Sequence, residues 1–204
     1  MTPALASVLA RLHARMAEEE RLRTALSPAD FAARRPGLML AIGEASARLL
    51  HLLLRIRAAR HALEIGTSVG YSTLWLADAL RETEGRLTSL DGSAYKHRQA
   101  RENLAEAGLL GTVELVTAQA PAALAGLAGP FDFVLIDCER ADYLASLEAV
   151  RLRLAPGALV AADNMTFPPS PHAGAYQQHV RGLPGWDSLL VPIGNGIELS
   201  RSPR

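Results

Sequence analysis

The sequence predicts a doubly wound α/β sheet, mostly parallel, with helices on both faces and an antiparallel hairpin at the C-terminal end. Three observations carry this expectation. From residue 61 onward, short apolar runs alternate with amphipathic helical stretches, the pattern of parallel strands buried between helices. A glycine-rich turn, Gly66-Thr67-Ser68-Val69-Gly70, joins the first run to the first helix of that series. Two short apolar runs flank Gly194-Asn195-Gly196 near the end, the composition of a hairpin turn.

Taken in order, residues 3–25 read as an amphipathic helix stopped by Ser27-Pro28, followed by a helical turn over 30–34 and then Pro36-Gly37. The most apolar stretch, 38–56, is interrupted by Glu44, Arg48, His51 and Arg55 at helical spacing. It therefore predicts a packing helix over 42–57 rather than a membrane span. The alternating series follows: strand 61–65 and helix 71–81, strand 86–90 and helix 94–107, strand 113–117 and helix 120–128. Strand 131–136 and helix 142–153 come next, then strand 158–162, a Pro-rich loop over 168–171 and a helix over 173–181. Strands at 188–192 and 196–200 complete the hairpin.

A chain of 204 residues suits a single domain, with N-terminal helices over 1–57 and a sheet core over 61–200. Lys plus Arg number 21 and Asp plus Glu 21, so no basic face points to nucleic acid. Residues 1–15 lack the apolar core of a signal peptide. Cys138 is the one cysteine, so no internal disulfide can form, which agrees with a reducing cytoplasm.

In such sheets ligands bind beyond the carboxyl ends of the strands, so the residues that end each strand matter most. The first ends at Glu64-Ile65 and the glycine turn, where free N–H groups at the following helix start can hold an anionic group. The second ends at Asp91-Gly92-Ser93. An acid about 20–25 residues past the glycine turn is placed to accept ribose hydroxyls, and it can equally cap the next helix. Strand 131–136 ends at Asp137 and strand 158–162 at Asp163-Asn164. If these strands are neighbours, two carboxylates and an amide oxygen surround one point. That donor set suits Mg²⁺, Ca²⁺ or Mn²⁺ better than zinc. The six histidines show no zinc-ligand spacing, no Gly-x-Ser-x-Gly elbow is present, and Cys138 reads as a small residue beside Asp137.

These motifs in this order resemble the cation-dependent, S-adenosylmethionine-dependent O-methyltransferases, the group containing catechol and caffeoyl-coenzyme A O-methyltransferases. The resemblance rests on residues 63–72, Phe131-Asp132-Phe133-Val134-Leu135-Ile136-Asp137, Asp163-Asn164 and residues 191–196, and it runs from about Met39 to Ser200. It implies a Rossmann-like methyltransferase sheet. It implies that Glu64, Gly66, Thr67, Ser68, Tyr71 and Ser72 line the methionine end of the cofactor, with Ile42 closing over it and Asp137 reaching it. Asp91 would take the ribose, while Gly92, Ser93 and Ala120 would sit by the adenine. Asp137, Asp163 and Asn164 would hold the cation. A homodimer, a cytoplasmic location and a small aromatic vicinal diol as substrate are further expectations, with no nucleic-acid or membrane partner.

One departure stands out. The family usually carries a lysine three residues after the first metal aspartate, acting as the base; here that residue is Arg140. A guanidinium stays protonated at working pH and cannot accept a proton, so Arg140 is expected to act through its charge alone. This leaves open a second reading, a non-catalytic or differently activated cofactor-binding homodimer of the same fold. A nicotinamide oxidoreductase is disfavoured because Gly66-Thr67-Ser68-Val69-Gly70 lacks Gly-x-Gly-x-x-Gly.

Overall fold

The computed structural model describes residues 1–204. Helix α1, Pro3–Ala25, begins at Thr2, whose hydroxyl accepts the Leu5 N–H, with Pro3 in the first turn. Helix α2, Pro28–Arg34, repeats the device with Ser27 and Pro28; a hydroxyl cap followed by proline satisfies one free N–H and removes another. Helix α3 spans Glu44–Arg57 and stops at Ala58 in the left-handed conformation.

The alternating series then follows as expected: β1 His61–Ile65, α4 Tyr71–Arg81, β2 Arg86–Asp91, α5 Ala94–Glu106 and β3 Val113–Thr117. After these come β4 Phe131–Ile136, α6 Tyr143–Arg151, β5 Leu154–Ala162, α7 Pro171–Gly182, β6 Asp187–Val191 and β7 Ile197–Arg201. The seven strands form one sheet in the order β3-β2-β1-β4-β5-β7-β6. The pairings among β1 to β5 are parallel, while β7 runs antiparallel to both β5 and β6.

The central strands are buried on both faces. Leu63, Ile65, Val134, Ile136, Val160 and Ala162 pack with α6 and α7, whereas Ala62, Phe133, Leu135 and Ala161 pack with α1, α3 and α4. This two-sided burial explains why the strands read as continuous apolar runs rather than alternating ones. Strand order reverses between β1 and β4, so their carboxyl ends flank the crevice where such sheets take ligands.

Two expectations are corrected. The helix read over 120–128 is a 3₁₀ turn, Ala122–Gly126; Pro121, Gly126 and Gly129-Pro130 leave too few residues for an α-helix. Strand β5 begins at Leu154 rather than 158. Pro156-Gly157 hid its first half, and a shift in its pairing with β4 between Phe131 and Phe133 accommodates the irregular stretch. No helix is long and apolar enough to cross a membrane.

Candidate active site

The strand tips are drawn together by backbone bonds. Asp137 N–H donates to the Ile65 carbonyl at 2.8 Å, Asp163 N–H to that of Ile136 at 3.1 Å, and Gly66 N–H to that of Leu90 at 2.8 Å. Gly66 sits at φ +110°, and a Cβ there would lie 1.9 Å from the Asp137 carbonyl oxygen. The turn after β1 can therefore approach the end of β4 only because residue 66 has no side chain. Gly70, at φ +88°, starts α4.

Apart from Glu64 and Ser93, every residue predicted to bind cofactor or cation, and Arg140, lines a single cavity of about 1480 Å³. Its roof comes from Met16, Glu19 and Arg23 of α1 and Phe31 of α2. Helices α1 and α2 cover the cavity, while α3 keeps Leu52 and Ile56 exposed.

Asp91 is gripped on both oxygens. Ser68 N–H donates to Oδ2 and Ser93 N–H to Oδ1, each at 2.8 Å. This fixes the carboxylate at the cavity wall with lone pairs left to accept further hydrogen bonds. Ser93 does not reach the cavity; its hydroxyl caps α5 by accepting the Lys96 N–H at 3.3 Å. Gly92 lies against the Gln119 side chain, which a Cβ would strike at 2.3 Å. Gln119 also lines the cavity, and its role was not foreseen.

Glu64 is likewise turned away from the cavity. It is fully buried, and its carboxylate accepts hydroxyl bonds from Ser72 at 2.5 Å, Thr73 at 2.6 Å and Ser89 at 2.5 Å. These bonds lash the first turn of α4 to β1 and β2. The chain continues from Ser89 to Thr67 at 2.6 Å, from Thr67 to His97 Nε2 at 3.0 Å, and from His97 Nδ1 to Thr117 at 2.7 Å. With Glu64 ionised, each hydroxyl donates toward it and His97 Nε2 carries a proton, an arrangement that suits the neutral ring with Nδ1 accepting from Thr117. Burial lowers the His97 pKa in the same sense. His97 was not predicted, because a histidine on an amphipathic helix carries no signal of what lies beneath it.

Burial raises the Glu64 carboxyl to about 7 despite its three donors. A raised carboxyl means the folded state holds the proton more tightly than the unfolded chain. Its stabilising contribution is therefore full below about pH 4.5 and lost as pH rises through about 7. The shift corresponds to about 3 kcal/mol. Glu64→Gln is expected to flatten the stability profile of the ligand-free protein by that order. Urea denaturation at pH 5 and pH 8 measures it, and an unchanged slope would contradict the assignment.

Asp137, Asp163 and Asn164 lie together at the cavity wall, but the Asn164 amide turns its nitrogen rather than its oxygen toward Asp137. Asn164 takes a left-handed turn, φ +59°, and its Nδ2 donates to Asp137 Oδ1 at 2.9 Å, while Asn195 Nδ2 donates to Asn164 Oδ1 at 3.0 Å. Asp163 is 2% exposed, and its Oδ1 has no hydrogen-bond partner. Burial raises the Asp163 carboxyl to about 6. Burial, followed by the charges of Asp163 and Glu64, raises Asp137 well above the usual carboxylate range. A buried and a half-buried carboxylate that disfavour each other's charge, the buried one with an orphaned oxygen, fit a hard divalent cation. No group of three or more His, Cys, Asp or Glu side chains gathers with metal-binding geometry; the donor set is two carboxylates and an amide.

Arg140 lines the cavity, but its guanidinium donates to the Pro168 carbonyl at 2.5 Å. It thus ties the segment after β4 to the loop after β5. The Cys138 thiol is pushed up to about 12 by burial and by Asp137, which agrees with a non-nucleophilic cysteine.

Comparison with known proteins gives a consistent result. A methyltransferase-domain family matches residues 63–165. The chain is 38% identical over 123 residues to the catechol O-methyltransferase of Niastella koreensis, covering 58% of this chain and 55% of that one. It is 37% identical over 150 residues to the catechol O-methyltransferase of Mycobacterium tuberculosis, covering 72% and 66%. The chain thus spans a little over half to two thirds of these relatives. The solved structure of the O-methyltransferase TomG from Streptomyces achromogenes, in complex with SAM, superposes with a TM-score of 0.77 at 28% identity, covering 100% of this chain and 91% of that one. Glycine turn, sheet order and sequence likeness converge, and the chain belongs to the S-adenosylmethionine-dependent O-methyltransferase family.

Proposed function

We propose that this chain transfers a methyl group from S-adenosylmethionine to one hydroxyl of a small aromatic vicinal diol, with a divalent cation held by Asp137, Asp163 and Asn164. The observation that carries this reading is the convergence of that trio with the Gly66–Ser72 cradle in one cavity. When bound, S-adenosylmethionine supplies an electrophilic methyl on a sulfonium. A divalent cation supplies the positive charge that favours an ionised diol oxygen, which matters because a phenol loses its proton only near pH about 10.

The chain's residues do the rest by placement. Asp91 is held by two backbone amides in position to accept ribose hydroxyls. The buried hydroxyl network on Glu64 fixes the first turn of α4, so Tyr71 and Ser72 present a rigid wall. Roof residues Phe31 and Met16 present apolar surface to the cavity. Correct placement of reactants is worth about 7–11 kcal/mol, against roughly 3–5 kcal/mol for a general base. Loss of the family's lysine is therefore compatible with turnover. Arg140 contributes by holding the loop at Pro168 and by its charge. The exposed Leu52 and Ile56 of α3 support a homodimer, and the single cysteine supports a cytoplasmic site of action.

The test is methyl transfer from S-adenosylmethionine to a panel of catechols with magnesium or with EDTA. Turnover with magnesium alone is expected; cofactor binding without transfer to any diol would favour the non-catalytic reading. Arg140→Ala is expected to lower turnover about tenfold, on the scale of one lost charge-assisted contact, with Arg140→Lys at or above the starting rate. Unchanged turnover in Arg140→Ala at saturating substrate would remove Arg140 from the chemistry.

A further inference from the structure

We infer that Glu19, on α1 and outside the matched methyltransferase domain, is a positioning residue for the cofactor, clamping residues 37–42 as a strap across the cavity; this rests on the function proposed above. Glu19 Oε1 accepts the Met39 N–H at 2.8 Å and Oε2 accepts the Leu40 N–H at 3.1 Å. Two consecutive amides can point into one carboxylate because Leu40 adopts φ +48°, a left-handed conformation rare for leucine. The Leu40 side chain is 39% exposed, so its burial does not account for that conformation. The bonds that do are charge-assisted and shielded, because the Glu19 side chain is only 13% exposed.

The strap is gripped from the other side too. Its Met39 carbonyl accepts the Ser68 hydroxyl at 2.6 Å, and Ser68 lies in the glycine turn. One peptide group is thus held between α1 and the cofactor cradle. Arg15 sets the clamp: it donates to Glu19 Oε1 at 3.1 Å, to the Gly37 carbonyl at 3.1 Å and to Gln99 Oε1 at 2.9 Å. Met39, Leu40, Ala41 and Ile42 line the cavity along with Glu19 itself. Helix α1 is anchored independently, through buried Leu5, Val8, Leu9 and Leu12 at its other end. Removing the Glu19 carboxylate therefore releases the strap without detaching the helix.

A strap that is closed only part of the time weakens apparent affinity by the fraction closed. For Glu19→Ala we expect S-adenosylhomocysteine to bind about tenfold more weakly by calorimetry, and KM for S-adenosylmethionine to rise by about the same factor. Turnover at saturating cofactor should stay within about twofold, because substrate and cation ligands are untouched. Hydrogen exchange at the Met39 and Leu40 amides should accelerate at least about tenfold. Glu19→Gln, which retains one carbonyl acceptor, should fall between the two. Faster exchange with unchanged S-adenosylhomocysteine affinity would make Glu19 structural and overturn the inference; unchanged exchange would overturn the clamp itself. Equal binding by the original protein and the variant sinks this inference alone, whereas no binding by the original protein sinks it together with the proposed function.

Discussion

Asp163→Ala is expected to reduce magnesium-supported methyl transfer by about a thousandfold or more, yet to make the ligand-free protein more stable. The two effects have one cause. Asp163 Oδ1 is buried without a hydrogen-bond partner, and its charge opposes that of the half-buried Asp137. An arrangement so costly in the empty protein makes sense if a cation offsets it. Removing one ligand charge forfeits charge stabilisation and placement worth several kcal/mol. It also relieves an unsatisfied buried oxygen, a gain on the order of 1 kcal/mol after the small cavity left behind. Initial rates with magnesium and with EDTA, combined with thermal melts, read both signs. S-Adenosylhomocysteine affinity should stay within about threefold, since the cradle is built by other residues. A fully active variant in EDTA would refute the cation assignment.

Gly66→Ala should be the most destabilising single methyl in the molecule. The added Cβ would lie 1.9 Å from the Asp137 carbonyl oxygen and 2.6 Å from its carbon. Both are backbone atoms, so no side-chain rotation relieves the clash. The φ of +110° is itself unfavourable for alanine. Together they are expected to cost about 4 kcal/mol or more, which for a chain of this size lowers Tm by roughly 8–16 °C. Gly70→Ala offers the comparison. Its Cβ would meet Ala100 at 3.2 Å, close but adjustable, and about 2 kcal/mol is expected. A Gly66→Ala melting temperature within about 3 °C of the starting protein would mean that β1 and β4 do not approach this closely.

Most of the strand–helix order was legible because the sheet is buried on both faces. Parallel strands in that setting are unbroken apolar runs, and each helix between them shows its own period. The reading failed where proline and glycine interrupt an element without ending it. Pro156-Gly157 lies inside β5, yet it looks like a loop because only pairing with β4 supplies the missing order. Pro121 and Gly126 left a 3₁₀ turn where the apolar content suggested a helix.

The sequence by itself determined which residues end each strand, and so the identity of Gly66, Asp91, Asp137, Asp163 and Asn164. Those tips gather because β1, β4 and β5 are neighbours, an adjacency that the apolar pattern left as a condition and the sheet order supplies. Only the tertiary structure decided what supports those tips. Glu19 meets Met39 and Leu40 from twenty residues away, and His97 meets Thr67 and Thr117 beneath the cradle. Glu64 faces hydroxyls rather than the cavity, and Arg140 faces the Pro168 carbonyl. Periodicity reports which face of an element is apolar. It does not report which polar atom waits opposite a given side chain, because that depends on how separate elements are stacked in space.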